Sequence, residues 1–245
     1  MTDVDSHYGT TEHLTHPILA ADGIAVRAPW GNIYGPIDFR VQTGGVTILA
    51  GADGRGRTAL LLTLCGRMRP STGILTSFGT SRDAHALFKA STVASIDEVD
   101  GIEQAITVRD VVTEHVRWNS PWYRLVAKVG DQELERVCRS TFGPHPIPAL
   151  SAYVEELPEL HNVLLRIAVA NIRRPPLLVV GGVDRLTDND NRELLLERLV
   201  DLGRNQTVVT ADVNALGPRN GVREVIPIDQ SNEDEIDQLD VEGRV

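Results

Sequence analysis

The first chemical signal in the chain is the octapeptide Gly51-Ala52-Asp53-Gly54-Arg55-Gly56-Arg57-Thr58. It follows the apolar run Val46-Thr47-Ile48-Leu49-Ala50 and precedes Ala59-Leu60-Leu61-Leu62. A β-branched run, a glycine-rich turn and a helix-forming run therefore stand in strand–loop–helix order. Gly51, Gly54 and Gly56 admit backbone angles closed to other residues, so successive N–H groups can converge on an anion. The N-terminus of the following helix adds its dipole at the same point. Thr58 falls where a loop of pattern G-x-x-x-x-G-K-[ST] holds a magnesium ion by its hydroxyl, but the lysine position is Arg57. Gly51 to Ala59 thus read as a phosphate loop altered at its one cationic residue. The same residues also fit a ligand-free strand-to-helix turn.

The elements that must position this loop alternate along the chain. Residues 18–27 and 36–41 read as two antiparallel strands joined by a turn rich in Gly, Pro and Asn. Thr43-Gly44-Gly45 turns into the strand before the loop, and the helix from Thr58 runs to about Arg67. Ile74–Phe78 and Val93–Ile96 read as strands. Between about 100 and 155 the character is helical, over 107–116, 122–129 and 132–140, and Thr107-Val108-Arg109-Asp110 opens the first helix with a capping pattern. A helix over 159–171, a buried-type strand at Leu177–Val180, a helix over 189–202 and strands at 207–210 and 224–228 complete the chain. Strands alternating with helices imply a mostly parallel sheet, interrupted once by an all-helical insert.

Composition narrows the classes. No stretch approaches 18 consecutive apolar residues, and the polar N-terminus does not read as a secretory signal. Cys65 and Cys138 lack metal or redox spacing and read as small core residues of a cytosolic protein. The net charge of −10 is concentrated in acidic, disordered tails at 1–16 and 229–245 around a nearly neutral body. Such a body argues against nucleic acid, which needs a basic face. Lysine occurs only as Lys89 and Lys128, so arginine at position 57 fits a general bias. A planar guanidinium is nevertheless bulkier and differently directed than an ammonium.

Residues 18–228 resemble the nucleotide-binding subunit of ABC transporters. The likeness rests on Val41-Gln42-Thr43-Gly44-Gly45, Arg69-Pro70-Ser71-Thr72-Gly73, Ile106-Thr107-Val108-Arg109-Asp110, Arg166–Asn171 and Arg174–Val180, in the family's order and spacing. The resemblance implies an α/β P-loop NTPase fold of the ABC ATPase type. It would have a mostly parallel core sheet, N-terminal antiparallel strands and a helical subdomain of about 100–160 within a domain of 17–228.

At the positions that carry the family's catalysis the chain departs from it. Besides Arg57, the loop glutamine falls on Glu98, or on Asp97 with one gap, and the signature falls on Leu157-Pro158-Glu159-Leu160-His161. The Asp-Glu pair falls on Gly181-Gly182, and the switch histidine on Ala211. The base-stacking aromatic aligns with Ala28, with Trp30 close enough to substitute. Asp184 or Asp188 could replace the lost metal ligands only if their loop folds back, since three residues span up to roughly 10 Å; a surface acid capping the next turn is the plainer reading of Asp184.

Four functions follow from these residues. The first is an ATP-binding subunit with degenerate motifs that binds ATP weakly, lacks the carboxylates that usually hold magnesium and so depends little on that metal, and hydrolyses little or nothing. The others are a working ATPase using displaced carboxylates, an interaction module that no longer binds nucleotide, and a P-loop enzyme unrelated to transport. The family-like helical insert speaks against the last. The resemblance implies a membrane-spanning transporter subunit as partner, a like or unlike second ATP-binding subunit, and a cytoplasmic place at the membrane's inner face. Glu98, Trp118 and Trp122 are the candidate residues of the groove that receives the membrane partner.

Overall fold

The computed structural model describes residues 17–51, 53–101, 105–213 and 219–228. The tails 1–16 and 229–245, and Ala52 of the loop, lie outside the described residues. The chain opens with β1 (Pro17–Ala28) and β2 (Gly31–Gln42), paired antiparallel as expected. Their connection is shorter than the sequence implied: Pro29-Trp30 alone make the turn, and Asn32–Gly35 run within β2. Register shifts along the pair accommodate that irregular stretch.

There follow β3 (Gly45–Ala50), α1 (Arg55–Leu64), β4 (Thr72–Ser77), β5 (Thr80–Ser81), α2 (Ala84–Ala90), β6 (Ser91–Ala94) and α3 (Asp97–Asp100). Next come α4 (Val108–Trp118), α5 (Asp131–Phe142), α6 (Glu159–Ala170), β7 (Leu177–Val180), α7 (Asn189–Gly203), β8 (Thr207–Asp212) and β9 (Glu224–Pro227). The short elements β5, α2 and α3 carry no periodic signal and were not expected. Strands β2-β1-β4-β5 form an antiparallel sheet; β6-β7-β8-β3-β9 form a sheet whose recorded pairings are all parallel.

The parallel strands are buried on both faces, which is why they read as unbroken apolar runs. Val46, Ile48, Leu178, Val180 and Val208 enter one core with the side chains of α4 to α7. Leu49, Leu177, Val179, Val209 and Ala211 enter the other, with α1 and the antiparallel sheet. Cys65 and Cys138 are both buried and free, and burial pushes the Cys138 thiol up to about 12.

Two expected helices differ. Helix α1 begins three residues early, because Gly54, at φ +141°, turns the chain directly into Arg55. Residues 119–130 are irregular where 122–129 had been expected to be helical. Trp122, Tyr123 and Leu125 have no core to pack against and stay exposed, and a helix draws most of its stability from a buried face. The capping pattern is present: Thr107 accepts from the Asp110 N–H (3.3 Å), and its hydroxyl donates to the Asp110 carboxylate (2.6 Å). Arg198 of α7 donates from Nε to the Thr141 carbonyl near the end of α5 (3.1 Å), tying insert to body.

Candidate functional site

Because the strands of the second sheet run parallel, the segments leaving their C-terminal ends share one edge. In spatial order these are Ser95 after β6, Gly181–Asp184 after β7, Asp212 ending β8, and the glycine-rich loop after β3. Crevices at such an edge are where open α/β sheets bind ligands. The glycine loop therefore sits where its sequence placed it.

Its donors are fewer than the sequence suggested. Helix α1 already includes Arg55, Gly56 and Arg57, and the Thr58 N–H donates to the Gly54 carbonyl (3.2 Å). Gly56 and Ala59 are buried in the helix, leaving first-turn N–H groups rather than a long nest.

Arg57 is the centre of the site. Its side chain is 5% exposed; Nη1 donates to Oδ2 of Asp184 over 2.8 Å, and Nη2 donates to Asp53 of the loop itself. Asp184 is 9% exposed, so the acid read as a surface cap is in fact folded back against the loop. The short 3-10 turn Val183–Arg185 brings it there, and its Oδ2 also accepts from the Val213 N–H (3.3 Å). Its Oδ1 is buried without a hydrogen-bond partner. One guanidinium thus meets two carboxylates, and the three groups sum to one negative charge. Asp188 does not join them: its carboxylate caps α7 by accepting from the Asp190 N–H (2.9 Å).

The two glycines after β7 have steric causes. A Cβ on Gly181 would lie 2.0 Å from the Ser95 carbonyl oxygen. A Cβ on Gly182 would lie 2.3 Å from Asp184 Oδ1 and 2.9 Å from Arg57 Nη2. The ion pair fills the space a larger side chain at 182 would need. Ala211 is wholly buried inside β8, and Thr210 beside it donates to the Gly181 carbonyl (2.8 Å).

Several other polar groups near this edge are also engaged within the chain. Glu159, at the first turn of α6, accepts from the backbone N–H and hydroxyl of Thr187 (3.0 Å each). Pro158 stands at the N-cap of that helix, which starts at Glu159 as expected. Arg166 donates to Asp97 (2.7 Å) and Asp100 (2.6 Å), joining α6 to α3. Burial works to lower the Arg166 pKa, but the hydrogen bond and charge of Asp100, then those of Asp97, hold it above the ordinary value. Of the two candidate glutamine positions, Asp97 is the one in this network; Glu98 is exposed on α3. Asp212, missed in the sequence, is buried at the end of β8 and pairs with Arg219 (2.9 Å). A lone acid closing an apolar strand was its only signal.

Trp30 stands exposed on the β1–β2 turn. A groove between α3, α4 and α6 is lined by Val99, Asp100, His115, Asn119 and Arg166, but Glu98, Trp118 and Trp122 do not line it.

No protein-family model matches the chain. Over 127 residues it is 28% identical to the cytochrome c biogenesis ATP-binding export protein CcmA of Cupriavidus pinatubonensis, covering 52% of this chain and 53% of that protein. Over 197 residues it is 24% identical to the Nod factor export ATP-binding protein I of Rhizobium meliloti, covering 79% and 56%. The chain thus spans about half the length of the curated relatives it matches. Its fold superposes on cbiO1 from Clostridium perfringens, part of the ABC transporter complex cbiONQ, with a TM-score of 0.66, 18% identity, and coverage of 88% and 86%. The chain has the fold of ABC transporter ATP-binding cassettes and is similar in sequence to ATP-binding export proteins.

That likeness implies ATP and magnesium, and the residues present do not fit that group as they stand. The cation at the family's lysine position, Arg57, is held by two carboxylates, and no acid occupies 181 or 182. Among the described residues, no cluster of three His, Cys, Asp or Glu side chains could hold a metal ion.

Proposed function

We propose that the chain is the ATP-binding subunit of a membrane transporter or related complex, one that binds nucleotide weakly and hydrolyses little or none. The observation that carries this reading is the Arg57–Asp184 ion pair, closed further by Asp53. Phosphoryl transfer is catalysed mainly by placing positive charge on the moving phosphate. Here the Arg57 charge is neutralised by the chain's own acids; with the exposed Arg55 counted, Arg55, Arg57, Asp53 and Asp184 sum to zero, so a triphosphate would meet no net positive charge. Gly181, Gly182 and Ala211 supply no group to a metal or a water.

In this reading the subunit lies at the inner face of the membrane, against a membrane-spanning partner and a second ATP-binding subunit. Its relatives' names as export proteins favour an exporter. Titration with ATP and ADP, with and without magnesium, tests the proposal alongside steady-state hydrolysis. Binding in the high-micromolar range or weaker, alike for both nucleotides, with background turnover, is the expected result. Tight, magnesium-dependent preference for ATP, with turnover abolished by Arg57→Ala, would overturn it.

One observation favours a second reading, in which Asp184 takes a cation: its buried Oδ1 has no hydrogen-bond partner. A magnesium-dependent gain in affinity that disappears in Asp184→Asn would establish that reading instead.

A further inference from the structure

The segment 119–130 has no regular secondary structure, yet it is braced at both feet. On the first foot, Asn119 Nδ2 donates to the His115 carbonyl (2.8 Å) and the Ser120 hydroxyl to the Val116 carbonyl (2.7 Å). On the second, the Val129 N–H donates to Thr113 Oγ1 (3.1 Å) and Arg109 donates to the Val129 carbonyl (3.0 Å). Arg117 Nε spans the two by donating to the Val126 carbonyl (3.2 Å). Between them the Arg124 N–H closes a turn on the Pro121 carbonyl (2.9 Å), with Trp122 and Tyr123 at its two central positions.

This braced turn displays apolar groups to water. Trp122 is 96% exposed, Tyr123 74% and Leu125 fully so, while Trp118 stands exposed at the end of α4. The two tip rings touch edge to face, their centroids 5.9 Å apart. Every charged residue from 116 to 130 is basic: Arg117, Arg124 and Lys128, all exposed, in a chain of net charge −10. Of the acids at the base, Asp110 is answered by Lys128 at 4.0 Å and Glu133 by Arg136 at 2.6 Å, while Asp131 and Glu114 stand exposed.

We infer that this turn inserts into an anionic lipid surface. Tryptophan and tyrosine, with an apolar ring and a polar edge, settle at headgroup depth, and leucine reaches below it. Interspersed arginine and lysine draw such a segment to negative headgroups. The body of the chain is nearly neutral, so the exposed basic charge of this turn gives it the attraction to such a surface. A convex tip with two aromatics and a leucine suits a deformable lipid layer, and its basic flanks select the anionic one. The inference takes its membrane setting from the proposed function but needs no protein partner, so lipid alone tests it.

The test is co-sedimentation of the full chain with vesicles of phosphatidylcholine alone, or mixed with phosphatidylglycerol. The chain should pellet with the anionic vesicles only, and salt should weaken the binding. Replacing the tip by Trp122→Ser, Tyr123→Ser and Leu125→Ser should release it. Arg124→Glu with Lys128→Glu should weaken partition roughly tenfold or more. All five side chains are exposed, so both variants keep the fold, which circular dichroism checks. No pelleting, equal pelleting with both vesicle types, or binding that survives the tip variant would overturn the inference. Retention only by native membranes, lost after protease stripping, would do the same and point to a protein on that tip.

Discussion

Arg57 donates to Asp184 over 2.8 Å, although 127 residues separate them and both side chains are nearly closed to solvent. Asp184→Asn weakens that pair while leaving Asp53 in place. Removing one partner of a buried pair is strongly destabilising, and with Asp53 remaining the expected loss is about 2–4 kcal/mol, read from urea or thermal unfolding. Inorganic phosphate and ATP should at the same time bind about tenfold more tightly, because one opposing charge has gone. Unchanged anion affinity would show that Arg57 does not face the loop's ligand side.

Restoring the family's acids should damage the protein rather than revive it. Gly181→Asp places a Cβ on the Ser95 carbonyl, at 2.0 Å in the present backbone. Gly182→Glu collides with the Asp184 carboxylate. Each should cost roughly 2–4 kcal/mol of stability, since backbone must move to relieve the overlap. Hydrolysis by the double variant should stay at background. A well-folded double variant that turns over ATP would contradict the steric account.

Arg166 ties α6 to α3 through two carboxylates. Arg166→Met keeps the stem and removes the fork, so thermal stability should fall by about 1–3 kcal/mol. Arg166→Lys should recover only part of that loss, because an ammonium cannot serve Asp97 and Asp100 in the same fork geometry.

Acid should weaken the fold through two histidines. Burial holds the His115 pKa below the usual 6.5, against the opposing charges of Glu114 and Asp100. Burial, with His145 adding to it, does the same for His161. Below 6.5 the unfolded chain therefore binds more protons than the folded one. Stability is complete above that value and declines as pH falls toward the depressed folded-state values. Unfolding curves between about pH 7 and 5 should show this decline, and His115→Gln with His161→Gln should flatten it.

Most of the fold was legible because its signals are local. Leu177–Val180 reads as a buried strand from its own composition, and Thr107 with Asp110 declares a helix start within four residues. The glycine loop was legible for the same reason. What escaped was pairing across distance. Nothing in Asp184 or Asp53 names Arg57 as partner, and Asp97, Asp100 and Arg166 meet only once α3 and α6 pack. The turn at 121–124 was read as helix because its apolar residues suit a helical face, and local pattern does not reveal that no surface awaits that face.

One apolar core holds side chains from the insert, such as Val111, Leu134, Val137 and Phe142, together with Ile48, Leu178 and Val208 of the sheet. Arg198 bolts the same two regions together at the end of α5, where the guanidinium packs against Gly143. Heat therefore meets a single cooperative unit: the calorimetric trace should show one endotherm, with the helices and the sheet melting together. The helices of the insert and the strand edge beneath Arg57 are thus packed on the same side chains, so a substitution that loosens one should lower the melting of both.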